Sequence, residues 1–347
     1  MQYIPTGCTL LNLVLSGKVW GGYKSGTVVR IIGGSDSGKS LLALTACAEL
    51  NVLDKTYDIV YDDAENSMEF PVDRFGLADR LLSVNNDKFV DNPIGSFSVD
   101  EFYFKLYERL KGGRQFLYVL DSMDSLESES SMAAFEQNKE LFERGRDMKG
   151  SYGDGKASKN SQNLRKIKGL IKSTQSVLII ISQTRDNITG YGASQITSGG
   201  RALKFYSCYQ IWVQKKSDLT RVIDGETVRV GSLVRLKIDK NHANGCHFEF
   251  DLPVYYGYGV DDEICSILFL IQRKVWKKSG AHIDTCGFIE EKLSQRALAE
   301  KIRASQELHT GLRALVQDTW DRMMGEICLP NRYEVTKLPE CCSSEAD

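Results

Sequence analysis

The chain has 347 residues, of which 42% are hydrophobic and 26% are charged, and this composition excludes a mini-protein, a disordered segment and a fibrous protein. Its 44 Lys and Arg residues nearly balance 46 Asp and Glu residues, so the net charge of −2 neither demands nor forbids a polyanionic partner. The 9 cysteines are scattered without zinc-ligand spacing, and the histidines form no cluster, which favours reduced thiols and no structural metal.

The N-terminal residues lack the basic and apolar regions of a secretory signal. The longest apolar runs are much shorter than the ~20 residues that a membrane-spanning helix requires. We therefore expect a soluble, cytoplasmic protein that does not contact a membrane.

Strands alternate with helices in the first part of the chain. Aliphatic and β-branched runs predict buried strands at residues 28–32, 58–61, 116–120 and 177–181. Apolar helical patterns lie between these runs, at residues 41–50, 99–110 and 164–171. This alternation is typical of a mostly parallel sheet covered by helices, so the sequence predicts an α/β fold.

The pattern changes after Gly200. Residues 208–214, 233–239 and 247–252 alternate apolar and polar side chains, which is typical of antiparallel or edge strands. From about Tyr258 the chain is helical and basic, and it ends in an acidic tail. We predict the following divisions: a short N-terminal segment (1–24), a core (25–257), a small α+β C-terminal domain (258–338) and the tail (339–347).

The charge reverses sign within the core. Residues 123–148 are mostly acidic, and the usual explanation of such a run is a solvated helix face. Residues 149–172 are basic, and they start with a glycine-rich stretch, residues 150–155, that predicts a mobile loop. A flexible cationic loop beside a strand end suits contacts with a nucleic-acid backbone.

A phosphate-binding motif follows the first buried strand. Residues 33–40 fit the motif G-x-x-x-x-G-K-[ST] and lie between a predicted strand and a predicted helix, as a P-loop requires. The nucleotide-binding candidates are Gly33, Gly34, Ser35, Asp36, Ser37, Gly38, Lys39 and Ser40. Backbone N–H groups of such a loop form an anion nest at the positive end of the helix dipole. Lys39 would neutralise the β and γ phosphates of ATP, and Ser40 would offer a hydroxyl to Mg²⁺.

Three carboxylates are candidates for the remaining chemistry. Asp121 closes a predicted strand and would hold Mg²⁺ at the carboxyl edge of the sheet, although it could instead cap a turn. Hydrolysis also needs a group that orients the attacking water. Glu65, after the strand at residues 58–61, is favoured over Glu101, and either could instead be a helix N-terminal acid that complements the dipole.

Together with these motifs, the segments Ser182-Gln183-Thr184-Arg185 and Tyr191–Tyr206 resemble the second DNA-binding loop of the RecA-type DNA recombinases. Among these recombinases, the sequence is most similar in character to phage homologues of the UvsX kind. The resemblance runs from about Ile4 to Met323. It implies a RecA-like P-loop NTPase core, a DNA-dependent ATPase that uses ATP and Mg²⁺. It further implies binding of single-stranded DNA, filament formation, homologous pairing and strand exchange with double-stranded DNA. A phage-encoded protein would act in the host cytoplasm.

The resemblance also assigns roles to residues. Gln183 would sense the γ-phosphate, and two DNA-binding loops would lie at about residues 149–164 and 184–201. The implied DNA contacts are Lys156, Lys159, Arg165, Arg185, Tyr191, Gly199, Gly200 and Arg201. Tyr191 would wedge between bases, where stacking contributes about 1–3 kcal/mol, and the two glycines would hinge the loop. The alternative for Tyr191 is an exposed loop tyrosine.

Further implied contacts lie between subunits. Lys204 and Phe205 would lie at the subunit interface. Lys240 corresponds to a lysine that reaches the nucleotide of a neighbouring subunit, whereas His242 replaces a second such lysine and would be mostly neutral at pH 7. Basic residues of the C-terminal domain would guide duplex DNA or form a solvated helix face: Arg273, Lys274, Lys277 and Lys278.

Two departures from the family pattern keep alternatives open. The N-terminal element that packs on the next subunit is missing or very short, so filament formation is not automatic. The acidic run at residues 123–148 is an insertion that could shield the DNA groove. The alternatives are a ring motor of the helicase kind on the same core, and a nucleotide-switched DNA-binding protein without strand exchange.

Overall fold

The computed structural model describes residues 2–66, 72–82, 95–144, 155–186, 195–197 and 200–327. The chain divides into two compact units, Met1–Cys265 and Ser266–Asp347. Among the helices of the described ranges, none has the length and apolar character needed to span a membrane.

The first unit combines strands and helices in alternation. Its strands are β1 (Tyr3–Ile4), β2 (Tyr23–Lys24), β3 (Thr27–Gly33), β4 (Asp58–Asp63), β5 (Leu81–Leu82), β6 (Phe116–Asp121), β7 (Val177–Asp186), β8 (Gln195–Thr197), β9 (Tyr209–Ile223), β10 (Glu226–Asn241), β11 (Glu249–Tyr255) and β12 (Gly259–Val260). Its helices are α1 (Thr9–Ser16), α2 (Lys39–Leu53), α3 (Val99–Lys111), α4 (Glu129–Glu143), α5 (Lys156–Thr174) and α6 (Gly200–Tyr206), with a 3₁₀ turn at Val72–Phe75. Helix α7 (Asp262–Gln272) begins in this unit.

A 10-stranded sheet forms the centre of this unit, in the order β12-β11-β10-β9-β3-β7-β6-β4-β5, with β8 paired to β7. The strands from β9 to β5 run parallel to one another. The predicted α/β class with a mostly parallel sheet is therefore confirmed. Central strands are covered on both faces, which explains why the sequence of β6 is apolar throughout until Asp121.

Side chains along β6 alternate between the two faces of the sheet. Phe116, Tyr118 and Leu120 join one apolar cluster with residues of α3 and α5. Because successive side chains of a strand point to opposite faces, Asp121 shares the other face, which α2 contacts. The last residue of β6 is thus turned toward the helix that follows the P-loop.

Strand β9 differs from its prediction. The alternation of residues 208–214 predicts an antiparallel or edge strand, and β9 does pair antiparallel with β10. On its other side it pairs in parallel with β3, from Val29↔Tyr209 to Gly33↔Val213. Alternation reports which faces of a strand are buried and carries no information on the direction of its neighbours, so the parallel pairing was missed.

The oppositely charged segments become two helices. Helix α4 takes up residues 129–143 of the acidic run, and Phe135 and Phe142 are each 72% exposed on it. Helix α5 buries Asn160, Leu164, Ile167 and Ile171 at helical spacing and exposes Lys166, Lys168 and Lys172. Of the stretch 150–155 that predicts a mobile loop, all but Gly155 lies outside the described residues.

The N-terminal residues are joined to the last part of the first unit. Helix α1 is almost entirely buried, and its first turn is held by Asp262. The carboxylate of Asp262 accepts hydrogen bonds from the backbone N–H and the hydroxyl of Thr9, both at 2.6 Å. Next to this contact, the Sγ atoms of Cys8 and Cys265 lie 3.8 Å apart. Residues that are distant in sequence therefore close the unit.

The second unit is a small α+β assembly. Its described residues include the end of α7, an antiparallel sheet and the helices that follow it: β13 (Lys277–Ser279), β14 (His282–Asp284), β15 (Leu293–Ser294), α8 (Gln295–Arg303) and α9 (Gln306–Ile327). Trp276, Ile283, Leu298, Ile302 and Trp320 are buried. Burial of these large apolar side chains stabilises the unit, as expected for an α+β fold of this size.

Candidate functional site

The P-loop connects β3 to α2 and its backbone needs glycine at defined positions. A Cβ atom at Gly33 would collide with the carbonyl oxygen of Val213 on the neighbouring strand β9. Gly38 precedes α2 with φ of 89°, a left-handed conformation that glycine adopts without strain. Within the described ranges no side chain caps this helix start, and the first N–H groups of a helix have no partner inside the helix, so they can bind an anionic ligand.

Two polar side chains of the loop suit a polyphosphate. Lys39 is buried, and its Nζ donates a hydrogen bond to the carbonyl oxygen of Gly34 at 2.6 Å. Burial lowers the pKa of Lys39, whereas nearby carboxylates, Asp121 first among them, raise it. The hydroxyl of Ser37 is buried and has no hydrogen-bond partner in the described part of the chain. A phosphate oxygen would satisfy that hydroxyl and neutralise the lysine, so these residues fit ATP.

Asp121 lies at the end of β6, beside the P-loop. Burial raises the pKa of its carboxyl to about 6, and hydrogen bonds from Ser40 and Tyr61 act in the opposite direction. Tyr61 donates to Oδ2 of Asp121 at 2.7 Å. The hydroxyl of Ser40 and the carboxylate of Asp121 are the oxygen ligands that Mg²⁺ prefers, so the pair fits that ion. Sequence reasoning missed Tyr61, because inside a strand it reads as an ordinary core residue.

Glu65 connects the ends of three neighbouring strands. Its Oε1 accepts hydrogen bonds from the hydroxyl of Ser122 and from Nε2 of Gln183, both at 2.6 Å. Its backbone N–H donates to the carbonyl oxygen of Asp121 at 3.1 Å. Strands β4, β6 and β7 are adjacent and parallel, so their carboxyl ends meet at one edge. The structure thereby brings Glu65, Asp121 and Gln183 together.

A cavity of about 340 Å³ lies over this edge. The cavity is lined by the P-loop and the start of α2, by residues at the ends of β4, β6 and β7, and by residues of β10, β11 and the turn after β11. These residues are Ser35, Asp36, Ser37, Gly38, Lys39, Ser40, Leu41, Glu65, Asp121, Gln183, Ser232, Val254 and Tyr256. The basic, hydroxyl and carboxylate groups that line the cavity are those that bind a nucleoside triphosphate and its metal ion.

Glu101 lies elsewhere, in the first turn of α3. Its Oε2 accepts a hydrogen bond from the backbone N–H of Phe97 at 2.8 Å, and its Oε1 forms an ion pair with Lys105. Partial burial, the largest single influence, raises the pKa of Glu101, but the hydrogen bonds from Lys105 and Phe97 and the charge of Lys105 together lower it below its ordinary value. These local contacts are those of an acid that stabilises a helix start. Of the two carboxylates, the structure brings Glu65 to the cavity.

Some of the predicted DNA contacts lie on α5 and α6, which pack against each other. Gly200, at the start of α6, has φ of 76°, and a Cβ atom there would lie 2.7 Å from Cβ of Ala157 on α5. Both helices begin inside the predicted loops, since residues 156–164 and 200–201 are helical, and they touch at a position where only glycine fits. Arg165 and Arg201 are exposed on these helices.

The other predicted DNA contacts lie on different elements, and two of them are bonded to other residues. Lys156 donates to the carbonyl oxygen of Asp124 at 3.1 Å, and Lys159 forms an ion pair with Asp100. Arg185 belongs to β7. Tyr191 and Gly199 lie outside the described residues.

Lys204 and Lys240 lie near the end of α6. Nζ of Lys240 donates to the carbonyl oxygens of Lys204 and Phe205 at 2.7 and 3.0 Å, which caps that helix. Phe205 is 72% exposed. The charge of Lys240 lowers the pKa of His242, which keeps the imidazole neutral at pH 7. The described residues that line the cavity do not include Lys204 or Lys240.

Comparison with known proteins agrees with this geometry. The model of the RecA N-terminal domain matches residues 117–261. The RecA protein of Geobacter metallireducens is 30% identical over 284 residues, which cover 80% of this chain and 74% of that protein. RecA of Borrelia duttonii is 29% identical over 91% of this chain and 81% of its own, and RecA of Thermus thermophilus is 28% identical over 93% and 87%. The chain therefore belongs to the RecA family of recombinases.

Proposed function

We propose that this protein is an ATP-dependent DNA recombinase that polymerises on single-stranded DNA and promotes homologous pairing and strand exchange with double-stranded DNA. Membership of the RecA family supports the general class. The observation that carries the proposal is the hydrogen bond between Gln183 and Glu65, at 2.6 Å. It connects the nucleotide cavity to β7, the strand that continues into the second predicted DNA-binding loop at residues 184–201.

The cavity residues divide the work on ATP. The backbone of Gly33–Ser40 would hold the phosphates, and Lys39 would balance their charge. Ser40 and Asp121 would hold Mg²⁺, which supplies charge neutralisation at the phosphate oxygens when it is bound. Glu65 would orient the attacking water and accept its proton, because it is the carboxylate on the neighbouring strand end that faces the cavity.

Gln183 would report the state of the nucleotide to the DNA-binding loops. A nucleotide changes a conformational equilibrium only by its different affinity for the two states. A hydrogen bond from Gln183 to the charged γ-phosphate, present with ATP and absent with ADP, contributes about 1.5–3 kcal/mol. That free energy corresponds to roughly a ten- to hundredfold change in DNA affinity, which is within the range of about 1–3 kcal/mol that is typical of allosteric coupling.

Assembly would place further residues at the contact between subunits. The exposed ring of Phe205 and the nearby Lys204 and Lys240 support an interface on this surface. We propose a filament in the cytoplasm, with the core at residues 25–257, the C-terminal domain at residues 258–338 and the tail at 339–347. The N-terminal segment would be residues 1–24.

The test combines DNA affinity with imaging. Fluorescence anisotropy would measure the affinity for a single-stranded oligonucleotide with a non-hydrolysable ATP analogue and with ADP. Negative-stain imaging of the analogue complex should show helical filaments, and a strand-exchange assay with ATP should give heteroduplex product. Closed rings would favour a ring motor, whereas monomers with nucleotide-dependent affinity would favour a simple switch. Equal DNA affinity with both nucleotides would refute the proposal.

A further inference from the structure

The turn that follows β6 contains an acidic residue, Asp124, that is hydrogen-bonded to both β7 and α5. Asp124 lies three positions after Asp121, and its Oδ2 accepts a hydrogen bond from the backbone N–H of Gln183 at 2.8 Å. The backbone carbonyl oxygen of Asp124 accepts a hydrogen bond from Nζ of Lys156, in the first turn of α5, at 3.1 Å. One residue therefore contacts both the strand of the γ-phosphate sensor and the helix of the first predicted DNA-binding loop.

A buried cation supports the position of Asp124. Arg30, on β3, is 2% exposed, and its Nε donates to the hydroxyl of Ser182 at 3.1 Å. Burial lowers the pKa of Arg30 to about 10, and the charge of Asp124 counteracts this effect. Arg30 and Asp124 thus hold two successive residues at the end of β7, Ser182 and Gln183. A hydrogen bond that involves a charged partner is about twice as strong as a neutral one, so these two bonds fix the position of the end of β7.

A second contact joins the same turn to α5. Nδ2 of Asn160 lies 3.6 Å from Sδ of Met123, and Oδ1 of Asn160 accepts a hydrogen bond from the hydroxyl of Tyr103 at 2.8 Å. Asn160 is fully buried, so the start of α5 is packed against the turn as well as hydrogen-bonded to it. A displacement of the turn is therefore transmitted to the helix.

The contacts form one continuous path. It runs from Oε1 of Glu65 to Nε2 of Gln183 at 2.6 Å, from the backbone N–H of Gln183 to Oδ2 of Asp124 at 2.8 Å, and from the carbonyl oxygen of Asp124 to Nζ of Lys156 at 3.1 Å. Resting on the proposed function, we infer that Asp124 is a positioning residue that couples the nucleotide sensor Gln183 to helix α5 and hence to the first DNA-binding loop. The nucleotide then controls both loops through one strand end.

The experiment measures coupling separately from binding. For each variant, the affinity for a single-stranded oligonucleotide is measured with a non-hydrolysable ATP analogue and with ADP, and the ratio of the two affinities is the coupling. Asp124→Ala should reduce this ratio about tenfold while the affinity for the ATP analogue without DNA changes less than about twofold, because Asp124 lies outside the cavity lining. Asp124→Asn keeps an acceptor for Gln183 and should restore most of the ratio.

The matched control is Asp100→Asn, which breaks the ion pair between α3 and Lys159 of α5 without touching the path. Its ratio should equal that of the wild type. An unchanged ratio in Asp124→Ala would overturn the inference, as would an equal loss in Asp100→Asn, since α5 would then respond to any loosening. If Asp124→Ala does not fold, a double-mutant cycle of Lys156→Met with Gln183→Ala decides, because it perturbs the two ends of the path and additive effects would exclude coupling between them.

Failure of this inference can be distinguished from failure of the proposed function. A wild-type ratio near one would remove the nucleotide switch and the inference with it. A clear wild-type ratio that Asp124→Ala leaves intact would reject the role of Asp124 alone.

Discussion

Replacement of Glu65 by glutamine tests the assignment of the water-orienting group. The Oε1 atom of Glu65 accepts hydrogen bonds from Ser122 and Gln183, and a glutamine Oε1 accepts the same two bonds. We therefore expect the free energy of unfolding to change by less than about 1 kcal/mol. A glutamine cannot take the proton of the attacking water, and general-base catalysis contributes about 10²–10⁴-fold. The kcat for ATP hydrolysis should fall by this factor, which equals about 3–5.5 kcal/mol in activation free energy.

The assay is phosphate release at saturating ATP with single-stranded DNA, together with the affinity for a fluorescent ATP analogue, which Glu65→Gln should leave unchanged. Glu101→Gln is the matched control. It weakens a partly exposed ion pair with Lys105, which contributes about 0–1 kcal/mol to stability, and should leave turnover within about twofold of the wild type. If Glu101→Gln stops hydrolysis and Glu65→Gln does not, the reasoning from strand ends is refuted.

Three further substitutions address other parts of the molecule. Lys39→Ala removes the buried ammonium that contacts Gly34, and ATP turnover should fall at least about 100-fold in a phosphate-release assay; retained turnover would contradict the P-loop assignment. Tyr191→Ala should weaken single-strand binding by about 1–3 kcal/mol in an anisotropy titration, and an unchanged affinity would argue against base stacking. Asp262→Ala removes both hydrogen bonds to Thr9, so urea unfolding should show a loss of about 1–3 kcal/mol; an equal midpoint and slope would show that the α1 contact is not stabilising.

The central strands and the P-loop could be predicted because their signals are local. A strand buried on both faces must be apolar throughout, as residues 177–181 are, and a phosphate loop needs glycine where its backbone turns. The position of Asp121 followed from the same reasoning, since the carboxyl ends of parallel strands share an edge.

The remaining features depend on which strands are neighbours, and that information is not local. Glu65 reaches the cavity because β4 lies next to β6, whereas the local pattern around Glu101 looks equally suitable. The parallel side of β9 depends on β3 in the same way. Asp124 was not predicted as a site residue, because its contacts with Gln183 and Lys156 join positions 59 and 32 residues away.

The contact between Thr9 and Asp262 also sets an order of events during biosynthesis. The two residues are 253 positions apart, and translation at about 5–20 residues per second takes roughly 13–50 s to cover that interval. Until Asp262 has left the ribosome, the backbone N–H and the hydroxyl of Thr9 lack the acceptor that they have in the folded protein. Because Thr9 is made early and its acceptor late, α1 reaches its final contacts only after almost all of the first unit has been synthesised.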